Sequence, residues 1–134
     1  MKTRIAFSTV AGLFLLVSGC SGGGHQIQQV KSADDLKAKM ASGEVVVIDA
    51  RGTDSYSKGH VPAAKDVGVE KMTPEMLPQD KSKPVVFYCG SKQCPASDMA
   101  ANKAANWGYT NVWVYKGGIA DWKAAGQEVA TGAQ

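Results

Sequence analysis

The chain has 134 residues, 44% of them hydrophobic, which is enough for one domain with its own apolar core. Two of its 15 basic side chains, Lys2 and Arg4, lie at the amino terminus, and the other 13 nearly balance 12 acidic ones. This balance gives no support for nucleic-acid binding. We find no internal repeat and no second domain boundary.

The amino-terminal segment is typical of an export signal. Lys2 and Arg4 precede an apolar run over residues 5–17. The run is too short to span a bilayer as a permanent helix, but it fits the hydrophobic part of a secretory signal. We therefore expect residues 1–19 to be a signal peptide.

The apolar run ends in Val-Ser-Gly-Cys at residues 17–20, which resembles the cleavage box of bacterial lipoproteins. The resemblance implies cleavage before Cys20 and lipid on its sulfur, which supplies the two or more chains that stable membrane attachment requires. The alternative is an ordinary signal peptide with a chance cysteine. Residues 20–25 would be a lipidated tether. Because Ser21 follows the cysteine, we expect a periplasm-facing anchor, in the outer membrane rather than the inner.

The expected domain, residues 26–130, begins with a helix. Ser32 is a good N-cap, and Asp34 and Asp35 suit the positive end of the helix. Three continuous apolar runs follow in the chain. Runs without polar alternation are typical of strands buried on both faces, as in a parallel sheet covered by helices. They span residues 45–51, 84–89 and 111–118.

Two more helices complete a strand-helix-strand-helix order. Pro95 suits a first helical position and Gly108 a stop, and an alanine-rich face between them would allow close packing on a sheet. Gly117 and Gly118 are expected to permit a tight turn into a last helix, in which Trp122 belongs to the core. The order predicts an α/β fold with a parallel sheet.

The carboxyl ends of the predicted strands carry the candidate site. Asp49 and Arg51 end one strand and Cys89 ends the next, and ligands bind at this edge of parallel sheets. We expect Asp49 and Arg51 to form a charge-assisted ion pair. We also expect this pair to hydrogen-bond the loop that follows Cys89, residues 90–94, which we call the cysteine loop. His60, shortly before Pro62, is expected to support a turn rather than to act as a base.

The loop after Cys89 would lower the pKa of its thiol. Backbone N–H groups from Gly90 to Cys94 can surround the sulfur, the next helix adds its positive end, and Lys92 adds a cation. All three favour the thiolate.

Two alternatives compete with a reactive thiol. Cys89 could be an inert buried residue, or it could form a structural disulfide with Cys94, as exported proteins often do. A metal site is not expected, because the two cysteines lack a nearby third ligand; His60 would have to be brought in by the fold, and His25 lies in the tether. We expect no cofactor.

Three ordered motifs resemble those of the rhodanese, or sulfurtransferase, family, and the resemblance extends over about residues 26–129, nearly the whole chain after the expected signal peptide. The second motif is the strand that delivers the family's cysteine, here Cys89, and the third is the closing segment 107–122 with its paired glycines and tryptophan. The first motif comprises Asp49, Arg51, Tyr56, Gly59, His60, Val61, Pro62 and Ala64, with Ala63 where the family usually has glycine.

The resemblance implies a rhodanese-like three-layer α/β fold, with a mostly parallel five-stranded sheet and helices on both faces. It also implies that Cys89 takes a sulfur atom from thiosulfate or a persulfide, and passes it to cyanide, a thiol or an unknown protein acceptor. Asp49, Arg51 and His60 would support the substrate-binding loop. That loop comprises Gly90, Ser91, Lys92, Gln93 and Cys94.

This loop departs from the family pattern. It ends in Cys94 where the family has arginine, threonine or serine, and it lacks the glycine at its fourth position. Ordinary transfer from thiosulfate to cyanide would therefore be weak. Cys94 is a candidate resolving thiol, which gives a thiol–disulfide or sulfide-releasing protein as the alternative function. A non-catalytic binding module with a locked disulfide is a third reading.

Overall fold

The computed structural model describes residues 26–133. Three predictions lie outside these residues: the signal peptide, residues 1–19, lipidation at Cys20, and the tether that ends at residue 25. Within the described part of the chain, no helix combines the length and the apolar character needed to cross a bilayer.

Within residues 26–133, five short strands alternate with four helices, and a single 3₁₀ turn precedes the fourth strand. The strands are β1 (Gln28–Gln29), β2 (Val46–Asp49), β3 (Lys65–Asp66), β4 (Val85–Tyr88) and β5 (Val112–Tyr115). The helices are α1 (Ala33–Ala41), α2 (Thr53–Lys58), α3 (Ala96–Asn106) and α4 (Gly118–Ala124), and the 3₁₀ turn is Pro74–Met76.

The strands form one sheet in the order β1-β5-β4-β2-β3, and every pairing is parallel. The predicted α/β fold is confirmed, with an entirely parallel sheet rather than a mostly parallel one. Asp49 of β2, Tyr88 of β4 and Tyr115 of β5 are in register. The segments that leave these three strands therefore start side by side at one edge of the sheet.

Successive residues of β4 face two different halves of the core, which explains the absence of polar alternation in the strand. Val85 and Phe87 pack in a cluster with the alanines of α3. Val86 and Tyr88 pack in a second cluster with side chains of the other three helices. Both faces of the sheet are thus covered by helices, and polar side chains are excluded from its middle.

The ends of the helices follow the signals in the sequence. The side chain of Ser32 accepts a hydrogen bond from the N–H of Asp35 at 3.1 Å at the start of α1. Pro95 occupies the N-cap position of α3, one residue earlier than predicted. Gly108 has φ +93°, a backbone conformation that glycine adopts without strain, just after the end of α3.

Candidate active site

Cys89 lies directly after the central strand β4, at the edge of the sheet where Asp49 ends β2. Its side chain is fully buried. The start of α4 packs against the same segment, since the N–H groups of Ile119 and Ala120 donate to the carbonyl oxygens of Cys89 and Gly90, each at 3.0 Å. The position of Cys89 is therefore fixed by a strand on one side and by a helix on the other.

Cys89 and Cys94 are joined by a disulfide bond, with their Cα atoms 6.2 Å apart. This separation lies within the usual range for disulfides. The sequence left open whether Cys89 is a free thiol or is bonded to Cys94, and the structure shows the disulfide. Cys89 is buried, whereas Cys94 is partly exposed and borders an open cavity.

The loop between the two cysteines keeps unused hydrogen-bond donors. The N–H of Cys94 donates to the carbonyl oxygen of Ser91 at 3.1 Å, so this amide closes a turn instead of serving the sulfur. The N–H groups of Gly90, Ser91, Lys92 and Gln93 donate to no acceptor within residues 26–133. Consecutive backbone N–H groups without an acceptor are the kind of donor that forms anion-binding nests.

Asp49 and Arg51 form the expected ion pair. The guanidinium donates to both oxygens of Asp49, at 2.9 Å from Nε to Oδ1 and at 2.6 Å from Nη2 to Oδ2. Burial disfavours the charged guanidinium, but the hydrogen bonds and charge of Asp49 outweigh it and raise the pKa of Arg51. Arg51 is thus a fixed cation next to the cysteine loop.

The expected hydrogen bond from this pair to the cysteine loop is wrong. The remaining contact of Arg51 Nη2 is the carbonyl oxygen of Gly59, 2.7 Å away, where α2 ends. Asp49 and this carbonyl oxygen take up Nε and Nη2, and Nη1 has no hydrogen-bond acceptor within residues 26–133. Arg51 therefore contacts the loop by packing. Its Cδ lies 4.0 Å from the position that a Cβ would take on Gly90.

Tyr88 is the site residue that the sequence analysis missed. Its buried hydroxyl donates to Asp49 Oδ2 at 2.9 Å and accepts from the N–H of Val61 at 3.1 Å. Burial and the neighbouring Asp49 charge raise the pKa of Tyr88 far above its usual value. A tyrosine in an otherwise apolar strand, directly before the cysteine, was the available signal, because a buried phenol needs a partner.

His60 is nearly buried and makes contacts that fit a structural role. Its Nδ1 lies 2.8 Å from the carbonyl oxygen of Tyr56, and the two rings stack with centroids 3.6 Å apart. Its backbone pairs with Ala130. These contacts fix the segment whose next residue, Val61, donates to Tyr88. His60 therefore acts on the site indirectly, by holding in place the segment from which Val61 donates to the Tyr88 hydroxyl.

The paired glycines allow α4 to approach Cys89. Gly118 has φ +62°, and a Cβ at this position would overlap the carbonyl oxygen of Cys89. A Cβ on Gly117 would lie 2.6 Å from Cβ of Asp121, whose carboxylate accepts a hydrogen bond from the Tyr115 hydroxyl at 2.5 Å. The prediction of a tight strand-to-helix turn is confirmed.

An open cavity of about 520 Å³ borders the loop on the Cys94 side. Its wall carries charges of both signs, from Arg51, Glu70 and Lys71. Lys92 is exposed and is not among the residues that line the cavity, and its role as a cation that favours the Cys89 thiolate stays a prediction. Residues 26–133 contain no cluster of three or more histidine, cysteine or acidic side chains arranged to hold a metal ion.

Known proteins with related sequences come from several functional classes. The chain is 27% identical over 142 residues to the HTH-type transcriptional regulator Rv0324 of Mycobacterium tuberculosis, covering 97% of this chain and 62% of the regulator. It is 31% identical over 81 residues to thiosulfate sulfurtransferase GlpE of Coxiella burnetii, covering 60% of this chain and 74% of that enzyme. The chain thus spans less than two thirds of the regulator's length.

The fold is also found in solved structures. The BH2092 protein of Bacillus halodurans superimposes with a TM-score of 0.69 and 25% identity, over 78% of this chain and 77% of that one. The family model described as "Rhodanese-like domain" matches residues 32–125, which include the whole sheet edge around Cys89. The chain therefore belongs to the rhodanese-like domain family.

Proposed function

We propose that the protein is a sulfurtransferase in which Cys89 carries the transferred sulfur as a persulfide. Membership of the rhodanese-like family and similarity to a thiosulfate sulfurtransferase support sulfur transfer. The observation that carries the role of Cys89 is its place at the end of the central strand, followed by four loop N–H groups without an acceptor in the described chain.

The proposed reaction has two steps. The Cys89 thiolate attacks the outer sulfur of thiosulfate, the sulfur–sulfur bond of the donor breaks, and sulfite leaves with the electron pair. A thiolate or cyanide then attacks the outer sulfur of the persulfide, and Cys89 leaves as a thiolate. Two successive displacements through one covalent intermediate give ping-pong kinetics. The disulfide with Cys94 must first be reduced, because the Cys89 sulfur is otherwise not a nucleophile.

The site residues have distinct roles in this proposal. The N–H groups of residues 90–93 hold the negative charge of the thiolate and of the persulfide, which lowers the pKa of Cys89. Arg51 and Asp49 hold the neighbouring chain end in place, and Tyr88 ties them to the strand that carries Cys89.

We also propose that the protein is a lipoprotein that works on the periplasmic side of the bacterial envelope. The signal-like residues 1–19 and the cleavage box before Cys20 support this location. Lipid on Cys20 gives stable attachment because several acyl chains act together. Cys20→Ser is expected to move the protein from the membrane fraction to the soluble fraction. If the variant stays with the membrane, this mode of attachment is wrong.

A second candidate function uses both cysteines, and the observed disulfide favours it. Here the Cys94 thiolate attacks the inner sulfur of the Cys89 persulfide. The bond between the two persulfide sulfurs breaks, hydrosulfide leaves, and the Cys89–Cys94 disulfide forms. The product of this step is the oxidised state that the structure shows.

The intact mass of the reduced protein after incubation with thiosulfate separates these functions. Transfer through Cys89 predicts a gain of one sulfur atom that persists in Cys94→Ser and disappears in Cys89→Ser. Sulfide release predicts that the wild type ends as the disulfide with hydrosulfide in solution, and that Cys94→Ser instead accumulates the persulfide. If no variant gains sulfur after complete reduction, Cys89 is not a sulfur carrier and the binding-module reading applies.

A further inference from the structure

The two sulfur atoms of the disulfide differ in their surroundings. Cys89 is fully buried at the sheet edge, and the N–H of Ile119, at the start of α4, donates a hydrogen bond to its carbonyl oxygen. Cys94 is partly exposed and lines the 520 Å³ cavity together with Arg51 and Gly90. A molecule that enters the cavity therefore meets Cys94 first.

We propose that a small thiol in this cavity attacks the sulfur of Cys94 and that Cys89 is the leaving group. The inference rests on the proposed function, because it describes how the Cys89 nucleophile is regenerated. The incoming thiolate forms a bond to Sγ of Cys94, the Cys89–Cys94 bond breaks, and its electron pair stays on Cys89 as a thiolate. A second thiolate then attacks the sulfur of the first thiol, which releases a small disulfide and the Cys94 thiol.

The geometry of disulfide exchange favours this direction. An attacking thiolate approaches along the sulfur–sulfur axis, on the side opposite the leaving sulfur. Cys94 lines the cavity and is partly exposed, so a thiolate can reach it from solvent. Cys89 has no exposed surface, so a thiolate from solvent cannot reach its sulfur without displacing neighbouring atoms.

The loop favours Cys89 as the leaving group as well. Exchange is faster when the departing thiolate has a low pKa. The four N–H groups of residues 90–93, which have no acceptor within residues 26–133, follow Cys89 directly and can hold its charge. The amide of Cys94 is already used by Ser91, so a charge on Cys94 would lack this donor.

The cavity indicates the class of thiol. Its volume matches sites for small molecules rather than for a bare sulfur anion. Charges of both signs, from Arg51, Glu70 and Lys71, and the hydroxyl groups of Thr53 and Ser55 line it. A polar thiol with both positive and negative groups, of the size of a short peptide, fits these features. With thiosulfate as donor, the complete cycle converts thiosulfate and two thiols into sulfite, hydrosulfide and one disulfide.

The experiment locates the first mixed disulfide, with glutathione as the probe thiol. The oxidised protein is mixed with glutathione for short times, stopped in acidic denaturant containing a maleimide, and digested for peptide mass spectrometry. We expect glutathione on Cys94 and maleimide on Cys89. Glutathione on Cys89 with maleimide on Cys94, or equal amounts of both products, would overturn the proposal.

A matched pair of variants on α2 tests the route through the cavity. Ser55 lines the cavity and Ser57 does not. Ser55→Trp is expected to slow reduction by glutathione by about tenfold, because exchange rates depend on access, while Ser57→Trp should leave the rate within about twofold of the wild type. Equal rates for both variants and the wild type would contradict entry through the cavity.

The outcome is independent of the proposed function itself. Persulfide formation is measured on protein that has already been reduced, where no thiol has to open the disulfide. Attack on the wrong cysteine would therefore leave the persulfide result unchanged. A failure to form the persulfide would leave the site of glutathione attack equally measurable.

Discussion

The cysteine loop, residues 90–94, and the support beneath it use their hydrogen-bonding groups in opposite ways. In the support, the carboxylate of Asp49 accepts from Arg51 and from Tyr88, and Tyr88 in turn accepts from Val61. In the loop, four consecutive N–H groups make no such contact with the described chain. Asp49 and the Tyr88 hydroxyl are buried and hydrogen-bonded, whereas the N–H groups of the loop have no acceptor in the described chain.

The difference indicates that the support chiefly stabilises the fold and that the cysteine loop chiefly stabilises a charge formed during the reaction. A buried network stabilises the protein only when each member is satisfied, so changes in the support should chiefly affect folding. Donors held in place without an acceptor stabilise a charge that appears during a reaction. Changes that move the loop should therefore affect sulfur chemistry more than folding.

The largest loss of stability and of reactivity is expected from a change at Gly118, where α4 packs against Cys89 and Gly90. Gly118→Ala places a Cβ on the Cys89 carbonyl oxygen in a backbone conformation with φ +62°. We expect a loss of about 3 to 4 kcal/mol in the free energy of unfolding, and persulfide formation about 100-fold slower because Cys89 moves. Urea unfolding and stopped persulfide assays measure both.

Gly126→Ala is the control for this change. Gly126 has a similar φ of +71°, but a Cβ there would meet nothing within 4 Å. We expect a cost of about 1 kcal/mol from the backbone alone and no change in persulfide formation. Equal rates in the two variants would show that close packing of α4 does not position Cys89.

Removing the charge of Asp49 is expected to have the next largest effect. Asp49→Asn leaves the Arg51 guanidinium without its ionic partner at a partly buried position. We expect the free energy of unfolding to fall by about 3 kcal/mol. The control Asp54→Asn, at an exposed position on α2, should stay within about 0.5 kcal/mol of the wild type. A small effect at Asp49 would mean that the pair does not stabilise the fold.

Tyr88→Phe tests whether the support acts on Cys89. The variant loses the hydroxyl between Asp49 and Val61, at a cost of about 1 to 2 kcal/mol. We also expect persulfide formation to slow by about tenfold, because the network next to Cys89 loosens.

Tyr109→Phe is the matched control for that change. Its hydroxyl donates to the carbonyl oxygen of Pro78 at 2.6 Å, in the segment that precedes β4. A similar loss of stability is expected with an unchanged rate. If both variants react like the wild type, Tyr88 has only a role in folding.

The smallest expected effect is a loss of folding stability in alkaline solution. Burial raises the pKa of both Tyr88 and Tyr115, assisted by Asp49 and Asp121 respectively. Above pH 10, near the ordinary pKa of tyrosine, the unfolded chain releases these protons and the folded one keeps them. Stability should therefore fall as the pH rises above about 10. Phenolate absorbance of Tyr88 and Tyr115 should appear together with unfolding, and its appearance in the folded state would be contrary to this account.

Much of the scaffold could be predicted because its strands carry a strong local pattern. The apolar runs that became β2, β4 and β5 follow directly from burial on both faces. The edge strands β1 and β3 were missed, since two polar or charged residues in each carry no strand pattern. Their pairing depends on neighbours that are distant in the chain.

The residues of the site could be predicted from the sequence, but their hydrogen-bond partners could not. Asp49, Arg51 and Cys89 end adjacent parallel strands, so the sequence alone brings them to one edge. The bond from Arg51 to the Gly59 carbonyl oxygen depends on where α2 ends, and the partners of the Tyr88 hydroxyl, Val61 and Asp49, lie 27 and 39 positions away in the chain. Such contacts are set by tertiary packing, which a local pattern does not encode.

The pKa of the Cys89 thiol is the most direct test of the central claim, that the loop donors stabilise a negative sulfur. It is measured in reduced Cys94→Ser from the rate of alkylation by iodoacetamide as a function of pH. We expect a midpoint below about 7.5. A midpoint at or above about 8.5, the value of a free cysteine, would contradict it.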